Sequence, residues 1–187
     1  MISQAFTQNC FKIITLFSLS PGSNLNRTEI KNKTRLNNVP LDNALTSLTN
    51  SGILKKKTNY SINFEHDYSK PLLELCKKQY KQLKELPLNA YFPIIDLTNS
   101  LSKLKDLEII LFGSYSKLIY TTKSDIDLAL LHSRMIDKKA VQKTTQWLEK
   151  TYGINIEIHY FDKEGFYKNK KDPLVKEILK NGVKLSG

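Results

Sequence analysis

GSYSKLIYTTKSDID, residues 113–127, is the stretch that decides the fold of the C-terminal half of this chain. The apolar run 107–112 precedes it and the apolar run 128–131 follows it. This order predicts a strand, a Gly-Ser turn, a short helix and a second strand that begins with Asp-x-Asp. A Gly-Ser turn at a helix start presents backbone N–H groups and a hydroxyl, which are donors for phosphate oxygens.

The two aspartates of this stretch, Asp125 and Asp127, are the first candidates for chemistry. Residues two apart on a strand point to the same face, so we expect both carboxylates on one side of the sheet. Neighbouring carboxylates repel each other unless a cation or a proton lies between them. A phosphate cradle beside such a pair is suited to phosphoryl or nucleotidyl transfer with divalent metal. The alternative is a Ser-Asp turn at the strand start, which leaves the upstream Gly-Ser unexplained.

The spacing of these residues resembles that of the DNA polymerase beta-like nucleotidyltransferase superfamily. It is closest to the minimal, or MNT-type, nucleotidyltransferases of archaea and bacteria, with the motif Gly-Ser-x-Ala-x-Gly, five residues, then Ser-Asp-x-Asp-Leu. The residues that fall in register are Gly113, Ser114, Ser124, Asp125, Asp127 and Leu128. Two residues depart from the motif: Ser116 replaces Ala, and Leu118 replaces a Gly that suits special backbone geometry or close approach. The segment 171–185 resembles the C-terminal helix and strand of the same proteins, so the resemblance covers residues 90–187.

The resemblance also implies a third carboxylate from a later strand. Residues 154–161 alternate between apolar and other side chains, which predicts a strand with Glu157 and His159 on one face. With Glu157 facing the two aspartates, the triad is complete; the alternative is a solvent-facing Glu on a wet strand face. His159 then lies near a metal-bound water or a phosphate, or is simply exposed.

By this resemblance, the chain is expected to be a nucleotidyltransferase that transfers AMP from ATP to a hydroxyl. The expected catalytic and metal-binding residues, for two Mg²⁺ ions, are Asp125, Asp127 and Glu157. The expected nucleotide-binding residues are Gly113, Ser114, Lys117 and Ser124, although solvated surface is the alternative for Lys117 in a lysine-rich chain. Some MNT-type proteins are antitoxins that adenylylate a HEPN-domain RNase toxin on a tyrosine, so a HEPN-type protein is the expected acceptor.

The composition fits a partner that carries negative charge. Lys and Arg number 29 against 18 Asp and Glu, which gives a net charge of +11. Such a balance favours nucleic acids or nucleoside triphosphates, although a lysine-rich proteome produces the same excess. The two cysteines have no metal-type or disulfide-framework spacing. No stretch is long and apolar enough for a membrane span, so we expect a cytoplasmic protein without a membrane partner.

Residues 1–66 predict a separate unit of three helices followed by a β-hairpin. The helices are expected at 6–19, from Asn26 onward, and at 40–50, and the two strands at 53–57 and 60–64. This order resembles a winged helix-turn-helix, whose third helix would enter DNA. The expected DNA-binding residues are Asn43, Thr46, Ser47 and Asn50 in that helix, and Lys55, Lys56 and Lys57 in the wing. The third helix has no Arg or Lys, so an Arg fork on guanine is not available from it.

The predicted fold class is α+β: a winged helix-turn-helix joined to a small α/β nucleotidyltransferase domain with a mixed sheet. Residues 67–89 are expected to form a linker helix that offers a homodimer contact, and 90–187 the catalytic domain. Three alternatives stay open. The winged helix could serve dimerisation or protein contact instead of DNA. A degraded transferase domain could sense nucleotide in a transcriptional regulator. A small-molecule nucleotidyltransferase of the aminoglycoside-modifying kind would need a larger acceptor domain.

Overall fold

The chain divides into two compact units, Met1–Leu88 and Asn89–Gly187. The computed structural model describes residues 7–104 and 106–186, so the expected helix start at Phe6 lies outside the described residues. Within the described residues, none of the helices combines the length and apolar character that crossing a membrane requires.

The N-terminal unit consists of helices and one hairpin, in the order that the sequence predicts. Its elements are α1 (Gln8–Leu19), α2 (Arg27–Thr34), α3 (Asn38–Asn50), β1 (Leu54–Lys56), β2 (Tyr60–Ile62) and α4 (Ser69–Gln82). The strands β1 and β2 are antiparallel, and Leu25 adds an isolated bridge to Tyr60. The hairpin is therefore a two-stranded sheet to which Leu25 adds a single bridge.

Local signals explain where two of these helices begin. The side chain of Thr7 accepts a hydrogen bond from the Cys10 amide at the start of α1. Asn26 and Glu29 form a capping box at the start of α2, each side chain accepting from the other residue's backbone N–H. Because these bonds satisfy amides that have no partner inside the helix, they fix the helix starts.

Apolar side chains from all four helices and the hairpin form one core in this unit. Fully buried members are Cys10, Ile13, Phe17, Ile30, Leu41, Leu48 and Ile53. The expected linker helix, α4, contributes Leu73 and Cys76 to this core. The stripe of Leu41, Ala44, Leu45 and Leu48 on α3 is buried, as its helical spacing predicts.

The C-terminal unit is a four-stranded sheet with helices. Its elements are α5 (Leu88–Leu101), β3 (Leu107–Phe112), α6 (Gly113–Lys117), β4 (Ile126–His132), α7 (Lys138–Tyr152), β5 (Ile156–Asp162), α8 (Lys163–Lys168), α9 (Pro173–Asn181) and β6 (Val183–Ser186). The strand order is β5-β4-β3-β6. β3 pairs antiparallel with β4 and with β6, whereas β4 and β5 are parallel and connected through α7. The predicted α+β class with a mixed sheet is confirmed.

Helices α8 and α9 cover one face of this sheet. On this face, Ile110, Phe112, Ala129 and Leu131 pack with Phe166, Val175 and Ile178 from α8 and α9. Helix α8 was not predicted from the sequence; it begins where the Asp162 side chain accepts from the Gly165 amide. Both helices cover the same face as Asp127, Glu157 and His159, because these residues are in register with that set.

Strand β5 lies at one edge of the sheet, and a helix side chain occupies part of that edge. The Ile156 N–H donates to Glu149 Oε1 of α7 at 2.9 Å. A second polar contact lies among buried residues: the Tyr152 hydroxyl donates to Asp96 Oδ2 at 2.6 Å, joining α7 to α5. These bonds fix the crossover helix against its neighbours.

Candidate active site

The Gly-Ser turn lies at the junction of β3 and α6. Gly113 has φ +70°, in the left-handed region that favours glycine. A Cβ built on Gly113 would lie 1.9 Å from Asp127 Oδ2. The backbone N–H of Ser114 donates to the Asp127 carboxylate and lowers its pKa. The turn is therefore built directly against the second aspartate of the motif.

Strand register places Asp127 and Glu157 side by side. The two residues are Cα partners in the parallel pair of β4 and β5, so their side chains share one face. His159, two residues further along β5, shares that face, and its Nε2 lies 3.0 Å from Glu157 Oε1. One donor atom each of Asp127, Glu157 and His159 lies within 4.8 Å of the others.

The pKa of Asp127 is set by burial and by its charged neighbours. Burial and, after it, the negative charge of Glu157 raise the pKa of Asp127 above its ordinary value. His159 and the Ser114 amide act in the opposite direction, and the charge of Asp125 adds to the increase. A cation bound between the carboxylates would remove the repulsion from Glu157 and Asp125, which adds to the effect of burial on this pKa.

Asp125 lies one residue before β4 and outside the three-residue cluster that the described residues form. Its charge nevertheless reaches the site, because it raises the pKa of both Asp127 and Tyr115. For Tyr115, burial is the larger cause, followed by the Tyr120 phenol. The Tyr115 and Tyr120 rings are stacked, 4.6 Å apart and 10° from parallel, which anchors the loop leading to Asp125.

The other expected nucleotide-binding side chains are held by protein contacts. Lys117 Nζ lies 2.9 Å from Glu177 Oε1 of α9. Ser124 Oγ accepts from the Thr121 amide at 2.9 Å. In this structure Lys117 is directed to α9 and Ser124 closes a loop, so nucleotide contacts by either residue stay predictions.

Leu118 occupies the position where the motif has glycine, and the structure explains that preference. It is the C-cap of α6, with φ 60° and ψ 30° in the left-handed region. Its N–H still donates to Tyr115 O at 3.3 Å, and its side chain is 51% exposed. Leucine therefore adopts the backbone conformation that glycine takes freely, with a steric cost of roughly 1–2 kcal/mol.

The residues present fit a divalent cation. Two carboxylates and an imidazole converge from neighbouring strands, and such groups are common ligands for divalent metals. The convergence of Asp127 and Glu157 is what the alternating pattern of residues 154–161 predicts. His159 was expected near a metal-bound water or phosphate, or simply exposed. The position of His159 two residues after Glu157, on the same strand face, was the sequence signal for its direct contact with Glu157.

Some of the residues that were expected to bind DNA make contacts with other residues of the N-terminal unit. Asn43, Thr46 and Asn50 are exposed on α3, and Ser47 is half-buried. Lys55 Nζ pairs with Glu65 at 2.6 Å, Lys56 lies over the Tyr60 ring, and Lys57 is exposed. On the same helix, Asp42 is held by a two-bond fork from Arg27, at 2.7 and 2.9 Å. DNA binding by these residues stays a prediction.

Comparison with known families identifies the class of the C-terminal unit. Residues 94–185 match the family model described as "Nucleotidyltransferase domain". This match spans the Gly-Ser turn, Asp125, Asp127 and Glu157. The C-terminal unit therefore contains a nucleotidyltransferase domain. A search of the curated proteins found no match.

Three solved structures are similar to part of the chain. Two are mutants of the toxin–antitoxin MntA–HpeT, one carrying a tyrosine-to-alanine change and one with two aspartates changed to glutamate. They are 27% and 25% identical, with TM-scores of 0.36 and 0.34, and each match covers 50% of this chain and 69% or 70% of the other. The third, a toxin–antitoxin with AMP-PNP, is 27% identical with a TM-score of 0.36, covering 51% and 71%. At these TM-scores the similarity does not establish a common fold.

Proposed function

We propose that this chain is a divalent-cation-dependent nucleotidyltransferase that transfers AMP from ATP to a protein hydroxyl. One observation carries the proposal: Asp127 and Glu157 converge from neighbouring strands against a glycine turn that cannot hold a Cβ. The nucleotide, the AMP group and the acceptor follow from the resemblance of residues 113–128 to MNT-type proteins. By that resemblance the acceptor is a tyrosine of a HEPN-type toxin, and the chain is its antitoxin.

Each residue of the site has a distinct role in this proposal. Because Gly113 has no Cβ, the space beside the Asp127 carboxylate stays open. Backbone N–H groups at the start of α6 would bind phosphate oxygens. Asp125, Asp127 and Glu157 would hold two Mg²⁺ ions, which would neutralise the triphosphate and lower the pKa of the acceptor hydroxyl. Ser114 donates its N–H to Asp127 and so orients that carboxylate.

The direct test is transfer of label from ATP that is labelled at the α-phosphate. The full chain and MgCl₂ are incubated with a HEPN-domain protein, and labelled protein and released pyrophosphate are measured. We expect Asp127→Asn to reduce transfer at least about 100-fold, because it removes charge that positions the cation at the reacting phosphate. The matched control is Glu164→Gln, since Glu164 pairs with Lys168 on the exposed surface of α8.

The outcomes separate the proposal from its rivals. Equal transfer by wild type and Asp127→Asn would refute the assignment of the site. AMP label on an added small-molecule hydroxyl acceptor, such as an aminoglycoside, and not on protein would favour a small-molecule transferase. Nucleotide binding without transfer or pyrophosphate release, with every acceptor tried, would favour the alternative function of a nucleotide-sensing regulator.

We also propose that the N-terminal unit binds DNA through the hairpin and α3. The supporting observation is the exposed lysine run at residues 55–57, next to a helix with exposed polar residues. Contacts from such lysines are to phosphates, so affinity should fall steeply with salt. We expect Lys57→Gln to reduce the slope of log affinity against log salt by about one on an arbitrary duplex. Lys170→Gln, at an exposed lysine of the other unit, should leave the slope unchanged. Equal slopes for all three proteins would favour a protein-contact role for the N-terminal unit.

A further inference from the structure

We propose that His159 is a direct nitrogen ligand of the catalytic cation, and that this nitrogen makes the site prefer Mn²⁺ over Mg²⁺. The inference rests on the proposed function for the presence of a cation at Asp127 and Glu157. It adds a ligand that the Gly-Ser and Asp-x-Asp pattern does not contain, and it assigns the choice of metal to one side chain.

The position of His159 follows from strand register. Along β5, Glu157 pairs with Asp127 and His159 pairs with Ala129, so both β5 side chains point to the face that carries Asp127. The residue beside His159 is an alanine, which leaves room for the imidazole over the sheet. The ring is turned toward the carboxylates, because its Nε2 lies 3.0 Å from Glu157 Oε1.

The spacing of the three groups matches a coordination sphere. Metal bonds to such ligands are about 2.0–2.2 Å long, so ligand atoms on opposite sides lie about 4.4 Å apart and adjacent ones about 3 Å. The pair of His159 and Glu157 already has the adjacent spacing. Donor atoms of all three residues, Asp127 included, lie within 4.8 Å of one another. Shifts of a few tenths of an ångström would bring them onto one ion.

Packing restricts where the imidazole can move. Phe112, which is 5% exposed, meets the His159 ring edge to face, with centroids 5.1 Å apart and planes at 74°. The His159 side chain is 30% exposed, so Phe112 covers part of the ring while Nε2 lies at Glu157. A ring held in this way keeps its nitrogen at the carboxylates without needing to be recruited by the ion.

Ligand chemistry connects this nitrogen to metal choice. Mg²⁺ takes oxygen ligands and keeps several waters. Imidazole nitrogen suits first-row transition ions better, and Mn²⁺ is the one of these ions closest to Mg²⁺ in its use of oxygen ligands. An imidazole among the ligands therefore improves the binding of Mn²⁺ more than that of Mg²⁺. Loss of the imidazole should lower Mn²⁺ affinity about tenfold and leave Mg²⁺ affinity within about twofold.

Pulsed electron paramagnetic resonance of the full chain with Mn²⁺ alone tests the contact directly. We expect modulation from a coupled nitrogen in wild type and its loss in His159→Gln. The chain has three histidines, His66, His132 and His159. The matched control is His132→Gln, because His132 ends β4 beside Leu107, at the far end of the sheet from Asp127. This variant should keep the nitrogen signal.

A second measurement does not depend on any variant. Wild-type protein with ¹⁵N only in its histidines should show the ¹⁵N pattern in place of the ¹⁴N pattern, so a variant that fails to fold leaves the proposal testable.

Calorimetric titrations with Mn²⁺ and Mg²⁺ then give the ratio of the two metal affinities for wild type and His159→Gln.

The outcomes also separate this inference from the proposed function. Bound Mn²⁺ without nitrogen coupling, or an equal loss of affinity for both ions in His159→Gln, would overturn it and reduce His159 to an ion-pair partner of Glu157. Nitrogen-coupled Mn²⁺ in a chain that transfers no AMP would support the inference and refute the proposed reaction. Transfer of AMP with Mg²⁺, together with no nitrogen signal from bound Mn²⁺, would support the proposed reaction and overturn the inference about His159.

Discussion

Gly113 and Asp127 compete for the same space: a Cβ on the glycine would lie 1.9 Å from the aspartate Oδ2, and 2.7 Å from its Cγ. The two residues belong to different elements, the start of α6 and the second residue of β4. The first glycine of the motif is thus required by the carboxylate as well as by its φ of +70°. Because the strand holds Asp127, any side chain at position 113 must displace that carboxylate.

Gly113→Ala should abolish metal binding and nucleotidyl transfer and also destabilise the protein by about 1–2 kcal/mol. The matched control is Gly153→Ala, since Gly153 has φ +67° and nothing within 4 Å of its Cβ position. Both variants carry the same backbone strain, and only Gly113→Ala meets Asp127. Denaturant unfolding and calorimetric Mn²⁺ titration measure the two effects; similar metal affinity in both variants would contradict the steric argument.

In EDTA, where the protein carries no metal, Asp127→Asn should raise the free energy of unfolding at neutral pH by about 1 kcal/mol. Removal of a functional charge that is unfavourable in the folded state commonly has this effect. The pKa of Asp127 is raised in the folded state, chiefly by burial and by Glu157. Its contribution to stability is thus complete below the ordinary pKa and is lost as pH rises through the folded value. The advantage of the variant should therefore vanish below about pH 4. Unfolding in EDTA at pH 3.5 and 7 tests this, and a variant less stable than wild type at pH 7 would contradict it.

Leu118→Gly should stabilise the protein by about 0.5–1 kcal/mol, because glycine adopts the left-handed conformation without steric cost. Little burial is lost, since the leucine side chain is 51% exposed. Ile119→Gly is the matched control: Ile119 is the next residue, 65% exposed, and outside the positive-φ positions of the described residues. We expect that change to destabilise. Urea midpoints compare them, and a loss of stability in both would show that position 118 bears no strain.

Tyr167→Phe should destabilise the C-terminal unit by about 1–2 kcal/mol, because it removes a donor from a buried carboxylate. The Tyr167 hydroxyl donates to Glu108 Oε1 at 2.6 Å, and Glu108 is 4% exposed. This bond, more than burial, raises the pKa of Tyr167 to about 12 from 10. A raised pKa gives stability that is complete below pH 10 and lost as pH rises through 12. The difference between wild type and Tyr167→Phe should therefore shrink between pH 10 and 12; a constant difference would point to packing alone.

Much of the C-terminal fold followed from the sequence because its signals are local. The turn at Gly113, the buried strands around it and the alternation through Glu157 each determine an element within a few residues. The parallel neighbours β4 and β5 then bring Asp127 and Glu157 together by register alone. The mixed sheet could be predicted for the same reason.

Other features depend on contacts between distant residues and could not be predicted. The clash of a Cβ at Gly113 with Asp127 exists only once α6 and β4 meet. The pairing of Lys117 with Glu177 joins residues sixty positions apart and redirects a lysine that was expected to bind phosphate. The short helix α8 has no long apolar stripe, so its periodicity was too weak to detect.

The bond from the Ile156 N–H to Glu149 has a consequence for how the protein behaves at high concentration. Edge strands with free backbone donors recruit strands of other molecules, which leads to ordered aggregates. Here a carboxylate from α7 occupies a donor of β5 and places negative charge at that edge. We therefore expect Glu149 to hinder pairing of this edge with strands of other molecules, separately from any role in catalysis.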